Sequence, residues 1–191
     1  MDGNLKQARA NAEPRQSETH GASRPGGQMK ITKVECIPVT SPLWKPFYMP
    51  EAKITGIDSI VIILHADAGI IGIGDSGDTS TWYRGETQAS MMEMILKTIA
   101  PRILPGESPV NIEKFVGKMD VLVRDNNQAK ATLDFALHDL KAKILGTPVY
   151  DLIGGKCVDG GPQGWVLSAG KPEDQAREAV TAIEKAIIWS S

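Results

Sequence analysis

The sequence predicts an α+β fold: a three-stranded antiparallel sheet followed by a helical bundle, with one lone β/α unit after it. Three observations predict this. The β-branched segments lie before Gly77. The segments with apolar residues at i, i+3, i+4 and i+7 lie after Glu86. A last amphipathic segment, opened by Pro172, follows a short apolar run beyond Lys156.

The first 28 residues have almost no large apolar side chains. They cannot bury enough surface to offset chain entropy and are expected to be disordered. They also lack the continuous apolar segment of a signal peptide, and Met29 offers an alternative start. ITKVECIPVTSPL is rich in β-branched residues and is predicted as a strand that stops at Pro42. Residues 43–56, LWKPFYMPEAKITG, combine Pro46 and Pro50 with three aromatics and are predicted as a loop. Ile60–His65 is a strong strand, Asp67-Ala68-Gly69 a turn, and Ile70–Gly74 a second strand, so the pair is an antiparallel hairpin.

Helices follow. In ETQASMMEMILKTIA, Met92, Ile95, Leu96 and Ile99 define one apolar face, and Pro101 is expected to end the helix. Ser108 reads as an N-cap with Pro109 at the first helical position, ahead of the face made by Ile112, Phe115, Val116 and Met119. Ala129, Leu133, Ala136, Leu137, Leu140 and Ile144 make the clearest stripe, stopped by Gly146 and Pro148. PVYDLIGG is a short closing turn. Gly164–Ser168 is predicted as a short strand, and the last helix carries Ala176, Ala179, Val180 and Ile183 on one face.

Composition excludes several function classes. A formal charge of -2 gives no electrostatic reason to expect a nucleic-acid partner. The longest apolar run, Ile60–Leu64, is strand-sized, so no membrane partner is expected. Two cysteines, Cys36 and Cys157, are too few for a disulfide framework, which fits a reduced, cytoplasmic setting with buried or inert thiols.

Two motifs suggest chemistry without supporting it. Gly72 to Gly77 spells the dinucleotide fingerprint G-x-G-x-x-G. That fingerprint needs a helix opening straight after the loop within a parallel unit, whereas here it follows a hairpin and DTSTWYRG intervenes. The acidic residue at the required distance, Glu93, falls inside a helix. The glycines read instead as a hairpin turn at Gly69 and close backbone packing at Gly72, Gly74 and Gly77. Asp134 and His138 share a helix face at i, i+4, but no further ligand has suitable spacing, which favours a structural pair over a site. Asp139 and Lys143 form an ordinary i, i+4 pair. His65 has no visible partner, and no Ser/His/Asp or Cys/His set is evident.

The aromatic loops are the stronger functional signal. Of ten aromatic residues, five lie in two loops: Trp44, Phe47 and Tyr48 in one, Trp82 and Tyr83 in the other. Loop aromatics cover either a core edge or a ligand, and these five are the candidate substrate-binding residues.

Three stretches carry a family resemblance: MKITKVECIPV, VIILHADAGIIGIGDSG and, above all, ATLDFALHDLKAKILGTPVYDLIGGK. Over about Met29 to Ala186 the chain resembles the N-terminal capping domain of the mandelate racemase and muconate lactonizing enzyme branch of the enolase superfamily. Asp75 stands where the family's hairpin usually closes with Glu. The resemblance implies an enolase N-terminal-like cap over 29–156 and a fragment of a (β/α) barrel over 157–191, with the barrel truncated early. It implies a racemase, epimerase, cycloisomerase or dehydratase of a small carboxylate, in which barrel acids bind Mg²⁺ and a Lys or His base removes the proton beside the carboxylate. None of that metal or base apparatus is expected in this chain, so it is expected to be inactive alone. The cap would contribute loops 41–55 and 76–84, which close over substrate. Family members usually assemble, which implies a homo-oligomer. The alternative is a non-catalytic partner-binding or oligomerisation module.

Overall fold

The computed structural model describes residues 29–50, 52–67, 69–81, 85–161 and 164–185. The fold begins with β1 (Ile31–Met49), β2 (Ala52–Ala66) and β3 (Ile71–Asp75), an antiparallel sheet in the order β1-β2-β3. Strand β2 alternates as its sequence requires: Ile60, Ile62 and Leu64 are fully buried, and Val61, Ile63 and His65 face the other side.

One expectation fails here. Residues 43–56 are not a loop; β1 continues through Pro42 and Pro46 to Met49, and β2 starts at Ala52. Between Pro42 and Phe47 the strand advances five residues while β2 moves two, from Gly56 to Ile54. This bulge takes Pro46 out of the ladder, and Pro38 and Pro42 are tolerated because β1 is an edge strand. The result is a two-stranded arm extending beyond the three-stranded sheet.

The helical layer covers the inner face of the sheet. Helix α1 (Gln88–Glu93) opens with a capping box between Thr87 and Ser90 and passes into a π-helical turn over Met94–Ile99, then α2 (Ala100–Ile103). The helix therefore runs past Pro101 rather than ending there. Four of its buried residues, Met91, Ile95, Ile99 and Ile103, recur every four positions, a spacing that the wider π turn brings onto one face. Pro101 sits in the first turn of α2, directly after the π turn. Helix α3 (Ile112–Leu122) starts three residues later than Ser108 and Pro109 predict; those two form the preceding turn, with Asn111 donating to the Ser108 carbonyl. The expected face is present, with Ile112, Phe115 and Met119 buried.

Helix α4 (Asn127–Leu145) is the central helix and matches its predicted stripe: Ala129, Leu133, Ala136, Leu137 and Leu140 are fully buried. Gly146, at φ 65°, ends it in the left-handed region. The closing turn is a single helical turn, α5 (Val149–Leu152). Gly164–Ser168 is not a strand: next to it Ala169 N–H donates to the Tyr48 carbonyl at 2.7 Å, and a single such bond does not make a ladder. Helix α6 (Pro172–Glu184) forms as predicted, but Val180 and Ile183 on its apolar face remain 55% and 75% exposed.

The glycine motif has a packing explanation. A Cβ on Gly72 would stand 2.3 Å from the Ala136 carbonyl oxygen, and one on Gly74 would stand 2.3 Å from that of Thr132. Strand β3 thus rests on the backbone of α4 with no space for side chains. Gly77 differs from the expectation: a Cβ there would meet nothing within 4 Å, and its φ of 65° is the reason for glycine.

This contact makes a sharp prediction. Gly74→Ala should lower stability by about 3 kcal/mol, because the clash is with backbone and cannot be relieved by a rotamer change. Gly117→Ala, mid-helix in α3 with open space around its Cβ position, should raise stability by roughly 0.5–1 kcal/mol. Urea midpoints of the two variants check both; equal, small effects would refute the close-packing account.

Candidate functional site

The arm, the loop after β3 and the segment before α6 meet around a cleft of about 490 Å³. Each wall has its own support. The loop after β3 is held by α4: the Gln128 side-chain amide donates to the carbonyls of Ser76 (3.2 Å) and Asp78 (2.6 Å), and Thr79 donates through both N–H and hydroxyl to the Asp58 carbonyl. The start of α4 is itself fixed by buried Glu86, whose carboxylate accepts the N–H groups of Gln128 (2.9 Å) and Ala129 (3.4 Å). Asn126 makes no side-chain cap, so this distant carboxylate takes that role and complements the helix dipole.

The arm is tied to the third wall by backbone and side chain. Tyr48 N–H donates to Ser168 Oγ at 2.7 Å, and the Tyr48 carbonyl accepts from Ala169 N–H. Lys45 forms a short ion pair with Glu178 of α6, and the Trp165 indole N–H donates to the same carboxylate oxygen at 3.3 Å. The Lys45 ammonium also lies 4.9 Å from the centre of the Trp44 ring. The Lys45 hydrogen bond, followed by that from Trp165, holds the Glu178 carboxyl below its ordinary range.

The predicted residues divide as follows. Trp44 and Phe47 line the cleft. Tyr48 lies at the end of the arm, its ring 5.9 Å from Lys53 Nζ, and contributes the backbone ties rather than the lining. All three stand on a strand, not a loop. Trp82 and Tyr83 lie outside the described residues. Sequence reading missed Lys45, Asp78, Trp165 and Glu178, all of which line the cleft. Trp165 carried a signal, an isolated aromatic in a Gly-rich stretch; the pairing of Lys45 with a residue 133 positions away carried none.

The other candidates behave as structural groups. His138 Nδ1 is 3.4 Å from Asp134 Oδ2 within one turn, and burial pushes the Asp134 carboxyl up. Asp139 and Lys143 do more than pair: Asp139 accepts from Ile73 N–H at 2.7 Å and Lys143 donates to the Ile71 carbonyl, covering the outer edge of β3. His65 does have a partner, Glu35 of β1, at 2.6 Å. Burial pushes the half-buried Cys36 thiol up to about 11, so it stays protonated; Cys157 is exposed rather than buried. Among the described residues no three His, Cys, Asp or Glu side chains form a group that could hold a metal ion. No helix among them is long and apolar enough to cross a membrane.

Comparison with known proteins converges on one family. The domain described as mandelate racemase / muconate lactonizing enzyme, N-terminal domain, matches residues 31–154. An N-succinyl-L-Arg/Lys racemase of Bacillus cereus is 36% identical over 157 residues, which are 82% of this chain and 42% of the racemase. A chloromuconate cycloisomerase of Cupriavidus necator is 34% identical over 82% of this chain and 41% of its own length. Among solved structures, a mandelate racemase/muconate lactonizing family protein from Azoarcus sp. EbN1 is 52% identical with a TM-score of 0.74, covering 82% of this chain and 39% of that one. The muconate lactonizing enzyme from Pseudomonas fluorescens, complexed with muconolactone, superposes with a TM-score of 0.77 at 28% identity, over 82% and 42%. This chain spans about two-fifths of the length of the relatives it matches.

The ion pair predicts how the arm responds to acid. A carboxyl held below its ordinary 4.5 stabilises the attachment fully above that pH and loses the contribution as pH falls through the lower folded value. Tryptophan fluorescence should change over that acid window. Glu178→Gln should abolish the change, even though lysine partners also hold the Glu35 and Glu107 carboxyls low. An unaltered profile in the variant would show that Glu178 does not hold the arm.

Proposed function

This chain belongs to the mandelate racemase / muconate lactonizing enzyme family through its N-terminal domain, and from that premise we propose that it is the capping, substrate-selecting part of a Mg²⁺-dependent enzyme acting on a small carboxylate. The relatives include a racemase, an epimerase and cycloisomerases; a dehydratase is the remaining member of the proposed set. Residues 29–156 form the cap and 157–191 open a barrel domain.

One observation carries the reading: the cleft walled by Trp44, Phe47 and Trp165, where the arm meets the segment leading into α6. When bound, the metal of such an enzyme supplies the positive charge that makes removal of a proton beside a carboxylate feasible. The described residues of this chain include no three His, Cys, Asp or Glu side chains grouped to hold a metal ion. Their part is to exclude water from the site and to fix the far end of the substrate, which selects it without touching the reacting carbon.

A second reading, a partner-binding or oligomerisation module, has its own support. Phe135 and Ile153 are 56% and 68% exposed beside Ile73, around a second cleft of about 530 Å³. Sedimentation of the pure chain as a monomer, with nothing recovered in a pull-down, would count against it.

The capping reading is tested by transfer of specificity. Residues 41–55 grafted into the Bacillus cereus racemase should reorder kcat/KM across a panel of carboxylates by about tenfold or more, while proton exchange at the reacting carbon persists. An unchanged ranking would overturn the role of the arm. Metal-dependent proton exchange on a carboxylate by this chain alone would overturn its assignment to selection rather than chemistry.

A further inference from the structure

We infer that the cleft takes the cationic end of a substrate, an ammonium or guanidinium on an apolar stem, and that Lys45 occupies that place as a tethered stand-in. The inference rests on the capping reading and adds the charge of the group the cap selects.

Four observations carry it. The lining is mainly apolar and aromatic, and its charged members are Asp78, Glu178 and Lys45, so carboxylates outnumber the cation. An ammonium already sits where a ligand's would: Lys45 Nζ pairs with Glu178 and lies over the Trp44 ring, in the geometry of a cation against an aromatic face. Glu178 is held for the purpose, because the Trp165 indole N–H fixes the oxygen that accepts from Lys45. The two partners differ in shelter: the Glu178 side chain is 15% exposed and that of Lys45 is 38%. The sheltered carboxylate is thus the fixed half of the pair. Lys45, on a flexible stem beside open solvent, is the half that can leave.

Charge arithmetic then selects the ligand. A cationic end displaces Lys45 into water and inherits its partners, so Glu178 is never left alone. An anionic end must draw Lys45 away from Glu178 and sit beside Asp78, leaving a sheltered carboxylate uncompensated. The aromatic faces favour the cation in the same sense, since ring faces carry partial negative charge.

The test titrates the full chain with n-hexylammonium, n-hexanoate and n-hexanol, following tryptophan fluorescence. Hexylammonium should bind at least about tenfold more tightly than hexanoate. Lys45→Met should tighten hexylammonium several-fold by removing its competitor, and Glu178→Gln should erase the preference. The wild-type comparison needs no variant to fold, and Lys45→Gln repeats the first variant with a polar side chain. Preference for hexanoate, or weaker hexylammonium binding in both Lys45 variants, would overturn the assignment of charge while leaving the capping reading intact. Failure of all three probes to bind would overturn both.

Discussion

The backbone of α4 lies directly against β3, and the rest of the molecule depends on that approach. Two glycines on the strand, facing Ala136 and Thr132 on the helix, remove the side chains that would separate them. The edge of β3 is then closed by side chains from the same helix, Asp139 and Lys143, which satisfy Ile73 N–H and the Ile71 carbonyl. An edge strand is normally open to further pairing. Here it is consumed by the helix it packs on, so the sheet grows no further on that side, and its other edge is left to extend as the arm.

The same helix carries order toward the cleft. Its N-terminus lacks a local cap and takes the carboxylate of Glu86 instead, which fixes the segment before α1 against the start of α4. One residue inside that terminus, Gln128 reaches the carbonyls of Ser76 and Asp78. The glycine contact, the Glu86 cap and the Gln128 bridge therefore form one continuous path from the core to a wall of the cleft. A loop positioned in this way can present Asp78 reproducibly, whereas an unsupported loop would have to be ordered by its ligand at an entropic cost.

What the sequence revealed follows the range of the interactions. The stripe from Ala129 to Ile144 was legible because helix period and burial coincide, and the hairpin Ile60–Gly74 because its turn is local. The arm was not: Pro42 read as a strand end and Pro46 and Pro50 as a loop, and the bulge that accommodates Pro46 exists through the register with β2. Pro101 misled for a related reason, since the π turn ahead of it is a property of the folded helix. At the site, Trp44 and Phe47 were recognised by type and clustering. Lys45 and Glu178 were not, because a pair 133 residues apart leaves no local pattern. Gly164–Ser168 had strand composition and failed as a strand because composition cannot supply a neighbour to pair with.

Arm position and cleft charge are one property rather than two. Lys45 ties the arm to α6 and also supplies the charge that neutralises Glu178. Any ligand that competes for Glu178 therefore loosens the side-chain tie while the backbone bonds at Tyr48 remain. Those bonds lie beyond the bulge from the sheet, so the arm keeps a fixed far end while the stretch around Lys45 is free to yield. A binding site arranged in this way opens at the point where it recognises its ligand and stays anchored on both sides of it. On the proposed capping role, this geometry would let the arm exchange ligands while its far end stays tied at Tyr48.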